Sequence, residues 1–321
     1  MPRRNLTALL LLVLLAACGA PSVAAPPTAT LPPPTATPEP TVAATATPPP
    51  PAALEVGARV DIGGRALFIQ CTAPGSPGVP TVILEAGLAA DHTSWSQVQP
   101  AAAVHARICS YDRAGLGQSD QASTPRDAAA VAADLATLLQ RAAVPGPYLL
   151  VGHSFGGLFA RRFIADNPAD VVGVVLVDAV HEDWWTRALG ALPPESPDDS
   201  QRLQSFRRFL TSEVADPARN AEGVDIPATA AQVREAGSLD ARPLVVLTAG
   251  ISDVLAPGLP PEVQAKLDAL LQQELPRELA ALSSDSTVVV VPDSGHNIPQ
   301  QRPDMVVLAI QAVLAAVANK Q

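Results

Sequence analysis

The chain has 321 residues and a formal net charge of −10, and 48% of its residues are hydrophobic whereas only 3% are aromatic. Its three cysteines are too few for a disulfide-stapled scaffold, and its apolar content is too high for a wholly disordered protein. The 21 lysines and arginines are spread along the sequence without forming a basic stripe, which argues against nucleic acid as a partner.

The N-terminus has the pattern of an exported protein. Arginines at positions 3 and 4 precede an apolar run over residues 6–15, which is about half as long as a membrane-spanning helix. The pattern therefore predicts a cleaved signal peptide over residues 1–18 rather than a spanning helix.

The apolar run ends in L-A-A-C-G over residues 15–19, which resembles the lipobox of bacterial lipoproteins. The resemblance implies that Cys18 is lipidated and becomes the first residue of the mature chain. The protein would then be anchored to the outer face of a bacterial membrane. An ordinary signal peptide, cleaved near Ala17 or Ala20, would instead give a secreted protein.

Residues 19–53 consist mainly of proline, threonine and alanine. Proline fixes φ and lacks a backbone donor, and a segment of this composition cannot bury enough apolar surface to offset the entropy cost of ordering. We predict a disordered linker here, followed by one domain over residues 54–321.

Strand-like and helix-like segments alternate through this domain, which is typical of a single α/β fold. Several strand-like runs are apolar throughout, as in parallel strands covered on both faces. The clearest helix is predicted over residues 126–143, where Val131, Leu135 and Leu138 recur at helical spacing. Strands are predicted at 66–70, 81–84, 107–111, 148–151, 171–177, 244–247 and 287–291, and further helices at 156–167, 261–282 and 303–319.

The run G-H-S-F-G at residues 152–156 joins a predicted buried strand directly to a predicted helix. This is the setting of a nucleophile elbow, in which a serine on a sharp, strained turn is presented at the edge of the sheet. Gly152 and Gly156 fit this interpretation, because side chains at those positions would collide across the turn. The pattern predicts Ser154 as a nucleophile.

Three further motifs accompany the elbow, each at the end of a predicted strand. They are A-G-L at residues 86–88, Y-D-R-A-G-L-G-Q-S at residues 111–119 and D-S-G-H at residues 293–296. Together these motifs resemble the α/β-hydrolase fold family, with alanine at position 114 where the family usually has glycine. The resemblance implies a mostly parallel eight-stranded sheet with helices on both faces, and a helical lid inserted at about residues 181–242.

The resemblance also assigns roles to individual residues. A nucleophilic serine needs an imidazole to accept its proton and a carboxylate to orient that imidazole. His296 is the expected base, and Asp253 is the expected acid because it stands in a G-x-x-D pattern. Asp178, at the end of the preceding strand, is the alternative acid. The backbone N–H groups of Leu88 and Phe155 are expected to form the oxyanion hole.

Cys71 and Cys109 lie on strands that are neighbours in the family's strand order, which implies a disulfide between them in an exported protein. No His-x-His or Cys-x-x-Cys spacing occurs, so we predict neither a metal site nor a cofactor. We also expect a monomer.

The function that the resemblance implies is a serine hydrolase that cleaves a small-molecule carboxylic ester through an acyl-enzyme. Serine rather than aspartate at the elbow argues against epoxide hydrolases and haloalkane dehalogenases. The residues leave open a lactonase, an amidase or peptidase, a perhydrolase, an acyltransferase, or a non-catalytic scaffold anchored at the cell surface. Aromatic residues in the lid either line a pocket for an apolar acyl or alcohol part or only pack the lid down. They are Trp184, Trp185, Phe206 and Phe209.

Overall fold

An eight-stranded sheet forms the centre of the computed structural model, which describes residues 57–72, 75–252 and 258–320. Its strands are β1 (Ala58–Asp61), β2 (Ala66–Cys71), β3 (Thr81–Glu85), β4 (Ile108–Tyr111), β5 (Tyr148–His153), β6 (Val171–Val177), β7 (Leu244–Ala249) and β8 (Ser286–Val291). They lie in the order β1-β2-β4-β3-β5-β6-β7-β8. The β1–β2 and β2–β4 pairs are antiparallel, and all other neighbours are parallel.

Helices cover both faces of this sheet. Among the described residues they are α1 (Val98–Ala102), α2 (Ala128–Arg141), α3 (Gly156–Asp166), α4 (Trp184–Ala191), α5 (Gln201–Arg208), α6 (Ile226–Ala236), α7 (Pro261–Ala269), α8 (Leu275–Ala281), α9 (Ile298–Gln301) and α10 (Pro303–Ala318). Helices α2, α3 and α8 bury their apolar sides on one face, and α1 and α10 do so on the other. Helices α4, α5 and α6 belong to the predicted lid and pack with α3 and α7 in a separate apolar cluster.

The direction of the central strands sets the place of the site. Strands β3 and β5 are buried at every position because helices cover both of their faces. Strands β3, β5, β6, β7 and β8 run parallel, so their carboxyl ends meet at one edge of the sheet. The segments that follow these strands therefore converge there, as ligand sites of open α/β sheets do.

The predicted fold class is confirmed, and all seven predicted strands and three of the four predicted helices are present with ends within two residues of those expected. The helix predicted over residues 261–282 consists of α7 and α8, joined by a π-helical turn over Leu270–Glu274. Strand β1 was missed. Its sequence, A-R-V-D, is exposed at three of four positions and carries no apolar alternation that could mark it.

The predicted disulfide is also confirmed. Cys71 and Cys109 are bonded with an S–S distance of 2.04 Å, and they stand directly opposite each other in the antiparallel β2–β4 pair. The bond spans 38 residues of sequence, and a loop of that length corresponds to about 4 kcal/mol of stabilisation through loss of chain entropy in the unfolded state. It joins the antiparallel edge of the sheet to the parallel part.

The predicted signal peptide, Cys18, the linker and the predicted domain start at residue 54 lie outside the described residues. Among the residues that are described, no helix combines the length and the apolar character needed to cross a membrane.

Candidate active site

Ser154 sits on a tight turn, with Gly152 and Gly156 two residues to either side of it. Strand β5 ends one residue before it and helix α3 starts two residues after it, and its φ of 54° lies in the left-handed region. A Cβ atom on Gly152 would lie 2.7 Å from the carbonyl oxygen of Gly156, and one on Gly156 would lie 2.3 Å from the carbonyl oxygen of Glu85. The strained serine and the close approach of α3 to the end of β3 match the expected elbow geometry.

Asp178 and His296 meet at the same edge of the sheet. Asp178 directly follows β6, and its Oδ2 lies 2.7 Å from Nδ1 of His296. Its other oxygen, Oδ1, accepts a hydrogen bond of 2.9 Å from the backbone N–H of Ala249 at the end of β7. Because a carboxylate can only accept, Nδ1 carries the proton and Nε2 of His296 is the basic nitrogen.

Asp253, the acid favoured by the sequence pattern, lies outside the described residues, so its assignment stays a prediction. The alternative acid, Asp178, is within hydrogen-bond distance of His296 in the part of the chain that the structure describes.

His153 holds the other side of His296. The two imidazole rings lie with centroids 4.8 Å apart, and Nε2 of His153 is 2.9 Å from the carbonyl oxygen of His296, to which it donates. Burial, together with the neighbouring His296, lowers the pKa of His153 to about 4. His153 is therefore neutral near pH 7 and supports the loop of His296 by packing and by this hydrogen bond.

Two unpaired backbone donors stand beside the serine. Within the part of the chain that the structure describes, the N–H groups of Leu88 and Phe155 donate no hydrogen bond. A Cβ atom on Gly87 would lie 3.2 Å from Cβ of Ser154, so the loop after β3 borders the elbow. The N–H of Phe155 belongs to the N-terminal end of α3, where the helix dipole favours negative charge. These are the two donors expected for an oxyanion hole.

A buried charge cluster lies beneath the loop after β3. Arg113 is 3% exposed and donates to Oε1 of Glu85 at 2.6 Å and to both carboxylate oxygens of Glu222 at 2.7 Å. Burial opposes the charge of this guanidinium, but the two carboxylates hold the pKa of Arg113 above its ordinary value. Burial raises the pKa of Glu85, which also accepts from the hydroxyl of Tyr111. Arg113 stands in the recognised 111–119 motif, whereas nothing in the sequence pattern marked Glu222.

An apolar cavity opens beside the Asp178–His296 pair. It is partly open to solvent, and most of its lining surface is apolar. The lid contributes Trp184 to its wall, and the chain before and within α8 contributes Leu271 and Leu275. Such a cavity suits an apolar group.

The other lid aromatics contact aromatic neighbours, although Phe209 is 40% exposed. Trp185 contacts Phe155 with ring centroids 5.5 Å apart, and Phe206 stacks on Phe209 at 6.4 Å. Trp184 thus lines a cavity, whereas ring contacts are shown for the other three; that an acyl or alcohol part binds in this cavity stays a prediction.

One group of side chains among the described residues has the spacing of metal ligands. Ligand atoms of Asp91, His92 and Asp112 lie within 4.8 Å of one another. Both oxygens of Asp112 already accept hydrogen bonds, Oδ1 from the backbone N–H and from Nδ1 of His92, and Oδ2 from the N–H of Gln118. These bonds join the segment at His92 to the turn at residues 112–118, which gives the group a structural role.

Comparison with known proteins identifies the family to which the chain belongs. A family model described as alpha/beta hydrolase fold matches residues 80–248, more than half of the chain. The chain is 28% identical over 249 residues to the "Uncharacterized protein YqjL" of Bacillus subtilis (strain 168), which covers 77% of this chain and 87% of the relative.

Two other similarities show how widely this fold is used. The chain is 29% identical over 293 residues to the "Probable transporter efuK" of Hormonema carpetanum, covering 79% of this chain but only 42% of that protein's length. It superimposes on the haloalkane dehalogenase DatA of Agrobacterium tumefaciens C58 with a TM-score of 0.57 at 14% identity, over 82% of this chain and 97% of the other. A likeness at that identity concerns the fold alone.

The buried His153 predicts a pH dependence of stability. Its pKa falls from the ordinary 6.5 to about 4 on folding, so below pH 6.5 the unfolded chain binds a proton that the folded chain does not. The free energy of unfolding should therefore decrease as the pH falls from 6.5 to 4, by up to about 3 kcal/mol from this residue. The decrease is measured by urea unfolding of the wild type and of His153→Gln at about pH 7 and about pH 4.5. The free energy of unfolding should fall less in the variant, because it lacks the contribution of His153. An unchanged pH dependence in the variant would contradict the assignment.

Proposed function

The chain belongs to the alpha/beta hydrolase fold family, and from that premise we propose that it is a serine hydrolase that cleaves a carboxylic ester through an acyl-enzyme on Ser154. The observation that carries the proposal is the 2.7 Å contact between Nδ1 of His296 and Oδ2 of Asp178, at the sheet edge where the strained elbow presents Ser154. A serine, an imidazole and an orienting carboxylate are the groups that acyl transfer needs.

In the proposed reaction, Nε2 of His296 accepts the proton of Ser154 as Oγ bonds to the carbonyl carbon of the ester. The former carbonyl oxygen, now negatively charged, accepts hydrogen bonds from the N–H groups of Leu88 and Phe155. Asp178 stabilises the imidazolium, which then gives its proton to the leaving alkoxide as the ester bond breaks. Water, activated by the same imidazole, releases the acid and restores the serine.

Labelling by a fluorophosphonate probe tests the triad. We expect the wild type to be labelled and Ser154→Ala to be unlabelled. Asp178→Asn should react about 10³- to 10⁴-fold more slowly, because an amide neither fixes the right tautomer nor stabilises the imidazolium. Asp253→Asn is the matched control and should react at a rate within a few-fold of the wild type.

The opposite ranking of the two asparagine variants would assign the acid to Asp253. A folded wild type that takes up no probe would favour the surface scaffold over the enzyme.

The cavity beside His296 supports a substrate with an apolar part. Leu271 lies on its wall, and a larger side chain there should fill space that a long acyl chain would occupy. For Leu271→Trp we expect kcat/KM on para-nitrophenyl octanoate to fall about tenfold relative to that on the acetate. Leu308→Trp, at a position that is 54% exposed, is the control and should leave the ratio unchanged. Equal losses on both esters would place the acyl chain elsewhere.

We further propose that the protein is exported and held at the outer face of a bacterial membrane by lipid on Cys18. The buried Cys71–Cys109 disulfide supports an oxidising compartment. Cells fed a radiolabelled fatty acid should incorporate label into the wild type but not into Cys18→Ser, and the variant should lose its firm membrane association. A wild type that takes up no label would point to an ordinary signal peptide, and label that persists in the variant would place the lipid on another residue.

A further inference from the structure

We propose that Glu222, which lies on the lid insertion, is a positioning residue for the oxyanion hole and acts through Arg113 on the Gly87–Leu88 peptide. The inference rests on the proposed function, because it concerns the donor from Leu88. It gives the lid a second role, in which docking of the lid completes the site as well as covering it.

The first step is the geometry of one peptide unit. Arg113 donates from Nη2 to the carbonyl oxygen of Gly87 at 2.6 Å and from Nη1 to that of Ala86 at 2.7 Å. The carbonyl of Gly87 and the N–H of Leu88 belong to the same planar trans peptide, so they point in opposite directions. Arg113 holds the carbonyl of Gly87 so that this carbonyl points toward the guanidinium. The N–H of Leu88 therefore points away from Arg113 and stays available to another acceptor.

The second step is the contact of Glu222 with both the arginine and the loop. Its two oxygens accept from Nε and Nη2 of Arg113, each at 2.7 Å, which is the planar two-bond geometry that fixes a guanidinium. The same Oε1 accepts from the backbone N–H of Ala89 at 2.6 Å. Ala89 has a φ of 60°, a strained value for a residue other than glycine, so an external partner is needed to hold this loop conformation.

The third step is the anchoring of Glu222 itself. The backbone N–H of Arg126 donates to the carbonyl of Gly223 at 2.8 Å, and the N–H of Asp225 donates to the carbonyl of Arg126 at 2.6 Å. Gly223 has a φ of 62°, and a Cβ atom there would lie 2.3 Å from the side chain of Thr124. This part of the lid therefore docks on the core in one defined way, and it delivers a carboxylate that is 4% exposed to the guanidinium.

A purely structural role for the Arg113–Glu222 pair is the competing interpretation, since breaking any buried ion pair destabilises a protein. The chain offers a matched control. Arg161 and Glu182 form another buried two-bond pair, and among the described residues neither side chain has a hydrogen bond to the loop after β3.

The experiment compares Glu222→Gln and Arg113→Lys with Glu182→Gln and the wild type. Glu222→Gln keeps the shape but loses the charge, and Arg113→Lys keeps the charge but loses the two-bond geometry. Four quantities are measured on para-nitrophenyl acetate and a phenylboronic acid: kcat, KM, the inhibition constant of the boronic acid, and the concentration of reactive serine titrated with a fluorophosphonate. The boronic acid forms a tetrahedral adduct that uses the oxyanion hole. KM depends on ester binding and on the ratio of the deacylation and acylation rates, and a weakened oxyanion hole slows both steps.

For Glu222→Gln and Arg113→Lys we expect kcat per titrated serine to fall at least about tenfold, as part of the 10²- to 10³-fold that a lost oxyanion donor costs. The inhibition constant of the boronic acid should rise by the same factor, and KM should stay within about twofold. Glu182→Gln should have the kcat and inhibition constant of the wild type per titrated serine, even where it unfolds at lower urea.

Wild-type values per titrated serine in both Glu222→Gln and Arg113→Lys would overturn the assignment, as would an equal loss in Glu182→Gln. A wild type that neither hydrolyses the ester nor reacts with the fluorophosphonate would overturn the proposed function first, and this inference with it.

Discussion

The hydrogen bond between Asp178 and His296 is the contact on which the proposed chemistry depends, and the parallel sheet makes it possible. The two residues are 118 positions apart in sequence, and their strands, β6 and β8, are separated in the sheet by β7. Asp178 spans that gap because one of its oxygens binds the N–H of Ala249 at the end of β7 while the other binds His296. The sheet thus holds the carboxylate of Asp178 in place, and the carboxylate in turn holds the imidazole of His296. The site is preorganised in this sense.

Close packing around the elbow and the buried charges below it form a second constraint. Helix α3 approaches the end of β3 so closely that Gly156 has no room for a side chain, and this approach brings the N–H of Phe155 and the loop of Leu88 to the same serine. The loop is held from below by Arg113, a cation that could not remain buried without its carboxylates. Since one of them, Glu222, belongs to the lid, the stability of the core and the seating of the lid are linked by electrostatics as well as by apolar contact.

Much of this arrangement could be predicted from the sequence, for identifiable reasons. Apolar runs marked seven strands, six of which are largely buried. The seventh, β8, is an edge strand exposed at four of six positions and was marked by its run of four valines, whereas the edge strand β1 carries no such run. The pairing of Cys71 with Cys109 followed from the expected order of their strands, and the register places them opposite each other. The elbow was recognisable because its glycines are a direct consequence of the turn's steric demands.

Neither the identity of the acid that orients the histidine nor the contact between the lid and Arg113 could be predicted from the sequence. Asp178 and Asp253 both follow strands that end at the same edge, so their order in the chain does not decide which one turns toward the histidine. Glu222 is 109 residues from Arg113 and lies in a segment with no periodic pattern, so only the folded chain reveals that they are partners. Interactions of this kind depend on how an insertion docks, which local sequence does not encode.

The central claim is that a covalent acyl group forms on Ser154, and the most direct measurement is to find it there. The wild type is mixed with para-nitrophenyl acetate, stopped with acid within the first turnover, digested and analysed by mass spectrometry. The account predicts an acetyl group on the peptide that contains Ser154, at close to one per chain and formed together with a burst of nitrophenol. Release of nitrophenol without acetylation of that serine, or with acetylation of another residue instead, would contradict it.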